Sequence, residues 1–276
     1  EALSDLLGRG EMLIHGTTHA INAIITGNTA RTAFLTTAGH PDILVLREGG
    51  RIEPFNFVAP YPEPYIPRAL TFEVPERINS AGAAHTPLDE AVTIEIIAKL
   101  KAAEVEAVAV CFLWSISNPM HELRVGELLD EHLPGTPYTL SHQINPALRE
   151  YRRASATAID ASLKPLMGKY LGGLTERLTA AGFDGRTLVL TSQGGMLDAT
   201  DLAQRPIHAI NSGPSMAPIA GRNYAEIDSA SSNVIIADTG GTTYDVSLVR
   251  DGRIPLTKET WIGQPFRGHM TGFPSI

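Results

Sequence analysis

Asp238, Gly240, Gly241, Thr242, Thr243 and Asp245 fall within one short run, ADTGGTTYD (237–245). Residues of these types in this order can hold a phosphorylated ligand. Adjacent glycines let backbone N–H groups approach an anion, because no Cβ stands in the way. Thr242 and Thr243 add hydroxyl donors. Asp238, at the mouth of the turn, can hold a Mg²⁺ ion through its water shell. Asp245 reads either as a second carboxylate on the metal side or as a surface carboxylate. An apolar stretch, Val234 to Ala237, leads into the turn, and an alternating stretch, Tyr244 to Val249, leads out of it, so the segment reads as strand, turn, strand. A plain Gly-Gly hairpin is the alternative, and the flanking Asp and paired Thr argue against it.

Three further groups carry possible chemistry. His15, Thr17 and Thr18 stand at a strand-to-helix turn, where N–H groups at a helix start suit an anion. They are candidates for substrate or phosphate contact, or a Thr simply caps the helix. His19 is less specific. Ser212 and Gly213, with Pro214, open a helix facing the phosphorylated ligand or serve as an N-cap and first turn. Gln193, Gly194 and Gly195 end a strand, where ligand sites of α/β sheets gather. Arg149, Arg152 and Arg153 read as a solvated helix face. No HxH spacing occurs, and no zinc site is expected.

The elements that must position these residues read as α/β. Strands are expected at Met12–His15, Thr32–Thr36, Leu70–Val74, Ala107–Leu113 and Leu188–Thr191. Helices are expected over Thr17–Thr26, after Thr86-Pro87 and after Asn118-Pro119, with the longest over Arg149–Ala181 and a break or kink at Pro165. Apolar strands alternating with capped helices predict an α/β fold with a covered sheet. A lobe boundary near 145–155 divides the chain into 1–148 and 149–276.

Composition narrows the function. A net charge of −8 argues against nucleic-acid and membrane-surface partners. The single cysteine, Cys111, excludes a disulfide framework and fits a reducing cytoplasm. No stretch reaches the roughly 18 apolar residues of a membrane-spanning helix, and no signal peptide is evident.

Several segments together resemble the hydantoinase A/5-oxoprolinase family. They are HGTTHAINAIITGNTARTAFLTTAGHPDIL (His15–Leu44), PERI near residue 76, NPALREYRRASATAIDASL (Asn145–Leu163), the SQGG turn, the SGP segment and DTGGTTYDVSLV. The resemblance runs in order along nearly the whole chain. It implies ribonuclease-H-like lobes of the actin, sugar-kinase and heat-shock-chaperone ATPase superfamily. It also implies ATP with Mg²⁺ or a similar divalent ion, a small cyclic amide or ketone substrate, and a B-type partner subunit. Carried onto this chain, it places phosphate contacts at Gly240, Gly241, Thr242 and Thr243, and the metal at Asp238. The family pattern includes a first phosphate loop, DxGGTxxD, ahead of the HGTT segment. These residues lack it, so the expectation is a fragment that binds ATP weakly and is inactive alone. The rivals are an A-type subunit of a ketone carboxylase and a non-enzymatic ATPase module.

Overall fold

A computed structural model describes residues 3–49, 53, 55–239, 244–257, 260–264 and 267–276. The chain begins with α1 (Leu3–Leu7), β1 (Met12–His15), α2 (His19–Ile25), β2 (Thr32–Thr37) and α3 (Ile43–Leu46). Next come β3 (Thr71–Val74), β4 (Arg77–Ile78), β5 (Ala84–Thr86), α4 (Glu90–Ala102), β6 (Ala107–Cys111) and α5 (Met120–His132). They are followed by β7 (Tyr138–Leu140), α6 (Ser141–Ile144), α7 (Glu150–Ala180), β8 (Arg186–Leu190), β9 (Met196–Asp198) and α8 (Ala199–Gln204). The last elements are α9 (Met216–Ser229), β10 (Val234–Thr239), β11 (Tyr244–Val249), β12 (Trp261–Ile262) and β13 (His269–Met270). This is the expected α/β order, with two local differences. Asp89, not Thr86, caps α4, accepting from the Val92 N–H at 3.0 Å, because Thr86 closes β5. Helix α7 continues through Pro165 without a break.

Packing divides the chain into two compact units that are discontinuous in sequence. One comprises Thr29–Pro165 and Trp261–Phe273, the other Glu1–Asn28, Leu166–Thr260 and Pro274–Ile276.

The 29–165 unit is built on a four-stranded parallel sheet of order β3-β2-β6-β7. Strand β6 (AVAVC) is buried along its whole length because both sheet faces are covered. On one face Leu35, Val108 and Val110 pack with Ile97 and Leu100 of α4 and Val125, Leu128 and Leu129 of α5. On the other, Phe34, Ala107, Ala109 and Cys111 meet Ala154, Ala158 and Ala161, the small residues of α7. Burial pushes the Cys111 thiol up to about 11, so it is an inert core group rather than a nucleophile.

A buried polar network ties together the carboxyl ends of these strands. Glu122 of α5, fully buried, accepts from the Phe112 N–H at 2.9 Å, the Ser141 hydroxyl at 2.5 Å and the His142 N–H at 3.1 Å. Its Oε2 also lies 2.6 Å from His142 Nδ1. Arg153, fully buried as well, donates to Ser141 Oγ at 3.0 Å and to the carbonyls of Ala147 and Phe112, each at 2.8 Å. Glu76, in the PERI segment, pairs with His121 Nδ1 at 2.7 Å and accepts from the Thr37 hydroxyl. Burial raises the pKa of the Glu76 carboxyl above its ordinary value, against the lowering effect of those bonds. The expected solvated face of Arg149, Arg152 and Arg153 therefore needs correction. Arg153 turns inward, and Arg152 pairs with Glu48 at 2.6 Å. Only Arg149 keeps a largely exposed side chain.

The second unit carries the sheet β1-β8-β9, with β1 parallel to β8 (Met12↔Arg186, His15↔Val189) and β9 antiparallel. Gly185 leads into β8. A Cβ there would lie 2.5 Å from the Glu11 carbonyl oxygen, so no larger residue fits this backbone approach. Strands β10 and β11 form an antiparallel hairpin with α9 packed on one face. Gly221 of α9 lies directly under Ile236. We expect Gly221→Val to lower stability by about 1–3 kcal/mol through overpacking, read as a lower thermal midpoint. An unchanged midpoint would show that the helix does not rest on Ile236.

Candidate functional site

The first group of candidate residues forms at the carboxyl ends of β1 and β8. These strands are parallel and adjacent, so their following turns leave the sheet on the same side, where α/β proteins place ligand sites. His15 ends β1, and Gly16, Thr17 and Thr18 lead into α2. The Thr17 hydroxyl accepts from the His19 N–H at 3.1 Å, so Thr17 makes the local turn bond, while Thr18 at the cap position accepts from Asn22 instead. Ser212, fully buried, donates its hydroxyl to the Thr17 carbonyl at 3.2 Å. A Cβ on Gly213 would lie 3.8 Å from Thr18 Cγ2. The structure thus brings His15, Thr17 and Thr18 together with Ser212 and Gly213, though 195 residues separate Thr17 from Ser212.

Helix α9 begins later than expected, at Met216, with Ser212–Ser215 forming the turns ahead of it. Ser212 is therefore a cross-link between two turns rather than an N-cap. Ser215 donates to the Thr191 carbonyl at 3.0 Å, which ties this segment to the end of β8. Gln193 and Gly195 line an open cleft of about 740 Å³ there, together with Gln204, Arg205 and His208.

The second group lies on the hairpin. Asp238 and Asp245 stand directly opposite each other in the β10–β11 ladder, on the last pair but one before the turn. Like charges facing each other across a ladder destabilise it, and a bound cation would relieve that cost. Both carboxylates sit on the strand face that carries Ile236 and Val249, the face covered by α9 farther along. Gly240, Gly241, Thr242 and Thr243 lie outside the described residues. Among the described residues no set of three or more His, Cys, Asp or Glu side chains is placed to hold a metal. Two carboxylates suit Mg²⁺, which keeps several waters and binds through one or two acidic groups plus phosphates. Helix α9 links the two groups, since it starts beside the Ser212 turn and packs beneath the hairpin.

Tyr170 of α7 joins the first group, and nothing in its sequence context marks it. Its hydroxyl lies 2.7 Å from His15 Nε2, and its ring stacks on His19 with centroids 4.7 Å apart. Burial lowers the His15 pKa below its ordinary value.

Comparison with known proteins gives the family. The model of the hydantoinase/oxoprolinase N-terminal region matches residues 3–133, and the hydantoinase/oxoprolinase model matches residues 153–276. The chain belongs to the hydantoinase/oxoprolinase family. This family member is 34% identical to the caprolactamase subunit alpha of Pseudomonas jessenii, over 99% of the chain and 40% of that protein. It is 30% identical to the acetophenone carboxylase gamma subunit of Aromatoleum aromaticum, over 92% of the chain and 36% of that protein. The crystal structure of the ATP-dependent caprolactamase from Pseudomonas jessenii superposes with a TM-score of 0.86 at 33% identity, over 100% of this chain and 40% of that one. The α/β fold is therefore the family's. The chain spans about 40% of the length of these relatives. No helix among the described residues is long and apolar enough to cross a membrane.

Proposed function

We propose that this chain is the nucleotide-handling part of an A-type subunit that activates a cyclic amide for ring-opening hydrolysis at the expense of ATP. The observation that carries the reading is the opposed pair Asp238 and Asp245 at the mouth of a DTGGT turn, on a hairpin backed by α9. Bound ATP would supply a phosphoryl group that turns an amide oxygen into a better leaving group. Asp238, with Asp245 beside it, would hold the divalent ion. Gly240, Gly241, Thr242 and Thr243 would offer donors to the phosphates, with Ser212 and Gly213 holding the adjoining turn in place. His15, Thr17 and Thr18 would meet the substrate. The reading also assigns the chain to two lobes, 1–148 and 149–276, to the cytoplasm, and to a complex with a B-type subunit.

A second reading, an A-type subunit of a ketone carboxylase, is favoured by the 30% identity to an acetophenone carboxylase subunit. One experiment separates the two. ATP hydrolysis by the full-length protein with its partner is measured with caprolactam, 5-oxoproline or hydantoin, and with acetophenone plus bicarbonate. Stimulation by a cyclic amide alone is the expected result. Stimulation by the ketone alone selects the second reading, and stimulation by neither refutes both.

A further inference from the structure

Three rings from three elements meet at the carboxyl end of β1: His15 of β1, His19 of α2 and Tyr170 of α7. The Tyr170 hydroxyl lies 2.7 Å from His15 Nε2, the two rings being tilted at 42° with centroids 5.9 Å apart. The other neighbour of the phenol ring is the His19 imidazole, at 4.7 Å and 29°. His19 is in turn held by the Thr17 hydroxyl bond to its backbone. The phenol is thus fixed by stacking on one side while its hydroxyl is aimed at one nitrogen of His15. Nδ1 of His15 has no protein partner among the described residues.

The chemistry follows from the two ring nitrogens. A neutral imidazole carries one N–H and one lone pair, and the bond made by one nitrogen decides the state of the other. The partner of Nε2 is a neutral phenol rather than a carboxylate, so nothing in this bond draws the ring toward imidazolium. Burial of His15 disfavours the charged form as well. A phenol O–H given to Nε2 leaves the hydrogen on Nδ1.

We propose that Tyr170 is a positioning residue: it donates its hydroxyl to Nε2 of His15, so that the Nδ1–H of His15 is presented to the carbonyl oxygen of the bound substrate. This rests on the reading that a cyclic amide is activated here. A donor aimed at a carbonyl oxygen polarises it as negative charge builds there.

The test uses the full-length protein with its partner subunit. Tyr170→Phe removes the hydroxyl and keeps the stacking ring. Amide-dependent kcat/KM should fall by ~10–10²-fold at about pH 8, the scale of a misplaced contact, with little change in thermal midpoint. The loss should shrink as the pH is taken below the ordinary histidine range, where His15, its pKa lowered by burial, gains a second proton and carries N–H on both nitrogens. A structural role for the hydroxyl would lower the rate equally at every pH, and that result would overturn the proposal. So would a wild-type profile in Tyr170→Phe when His15→Ala is impaired. Wild-type turnover in His15→Ala would remove His15 from the site and the proposal with it. A wild-type enzyme that no cyclic amide stimulates would instead locate the failure in the functional reading.

Discussion

Asp238→Asn in the full-length enzyme is expected to lower substrate-dependent ATP turnover by about 10²–10³-fold, the usual cost of removing one group that stabilises charge in a transfer site. Asn keeps the shape of Asp and its place in the ladder opposite Asp245. It removes the negative charge that would orient the waters of a divalent ion. The same change relieves the repulsion between two carboxylates paired across the strands. The thermal midpoint should therefore stay level or rise slightly while the rate falls. This opposition separates function from folding, because a purely structural Asp would lose both or neither. Turnover close to wild type would remove Asp238 from the proposed site.

The second large effect concerns stability. Glu122→Ala should cost about 3–5 kcal/mol, the range for breaking a buried charged network by removing one partner. The Phe112 and His142 N–H groups and the Ser141 hydroxyl would lose their acceptor inside the protein. Arg153 would be left with its positive charge fully buried and no carboxylate in the cluster around Ser141. For a chain of this length the loss corresponds to a midpoint lower by on the order of 10 °C. Arg124→Ala is the control. Its bonds to Glu90 and Glu127 lie on the surface, so it should barely move the midpoint. Equal effects from the two changes would mean that burial does not set the strength of the Glu122 network.

The difference between Arg124 and Arg153 shows where reading the chain stops. Both are arginines on helices rich in charge, and the pattern around Arg149–Arg153 resembles an exposed face. What turns Arg153 inward is a set of acceptors from distant positions, the Phe112 carbonyl and the Ser141 hydroxyl, which become neighbours only when β6 and β7 pair. Thr86 and Asp89 make the same point at short range. Both are good N-caps, and the extension of β5 to Thr86 decides between them.

The sequence by itself determined what depends on local spacing. The alternation around Asp238 and Asp245 specified two paired strands, and the structure pairs them antiparallel, with the turn residues outside the described region. Apolar runs and turn residues placed β1, β2, β3, β6 and β8 to within a few residues, because side-chain periodicity is a property of neighbouring positions. The family segments fixed the family for the same reason, since each is a contiguous motif. Only the tertiary structure decided which motifs meet. Ser212 reaches the Thr17 carbonyl because β1 and β8, far apart in the chain, run parallel and end side by side. Tyr170 reaches His15 across 155 residues, for which no periodicity or spacing gives a signal. Contacts of that kind depend on how helices and strands pack, and packing is settled by the summed burial of many side chains rather than by any local pattern.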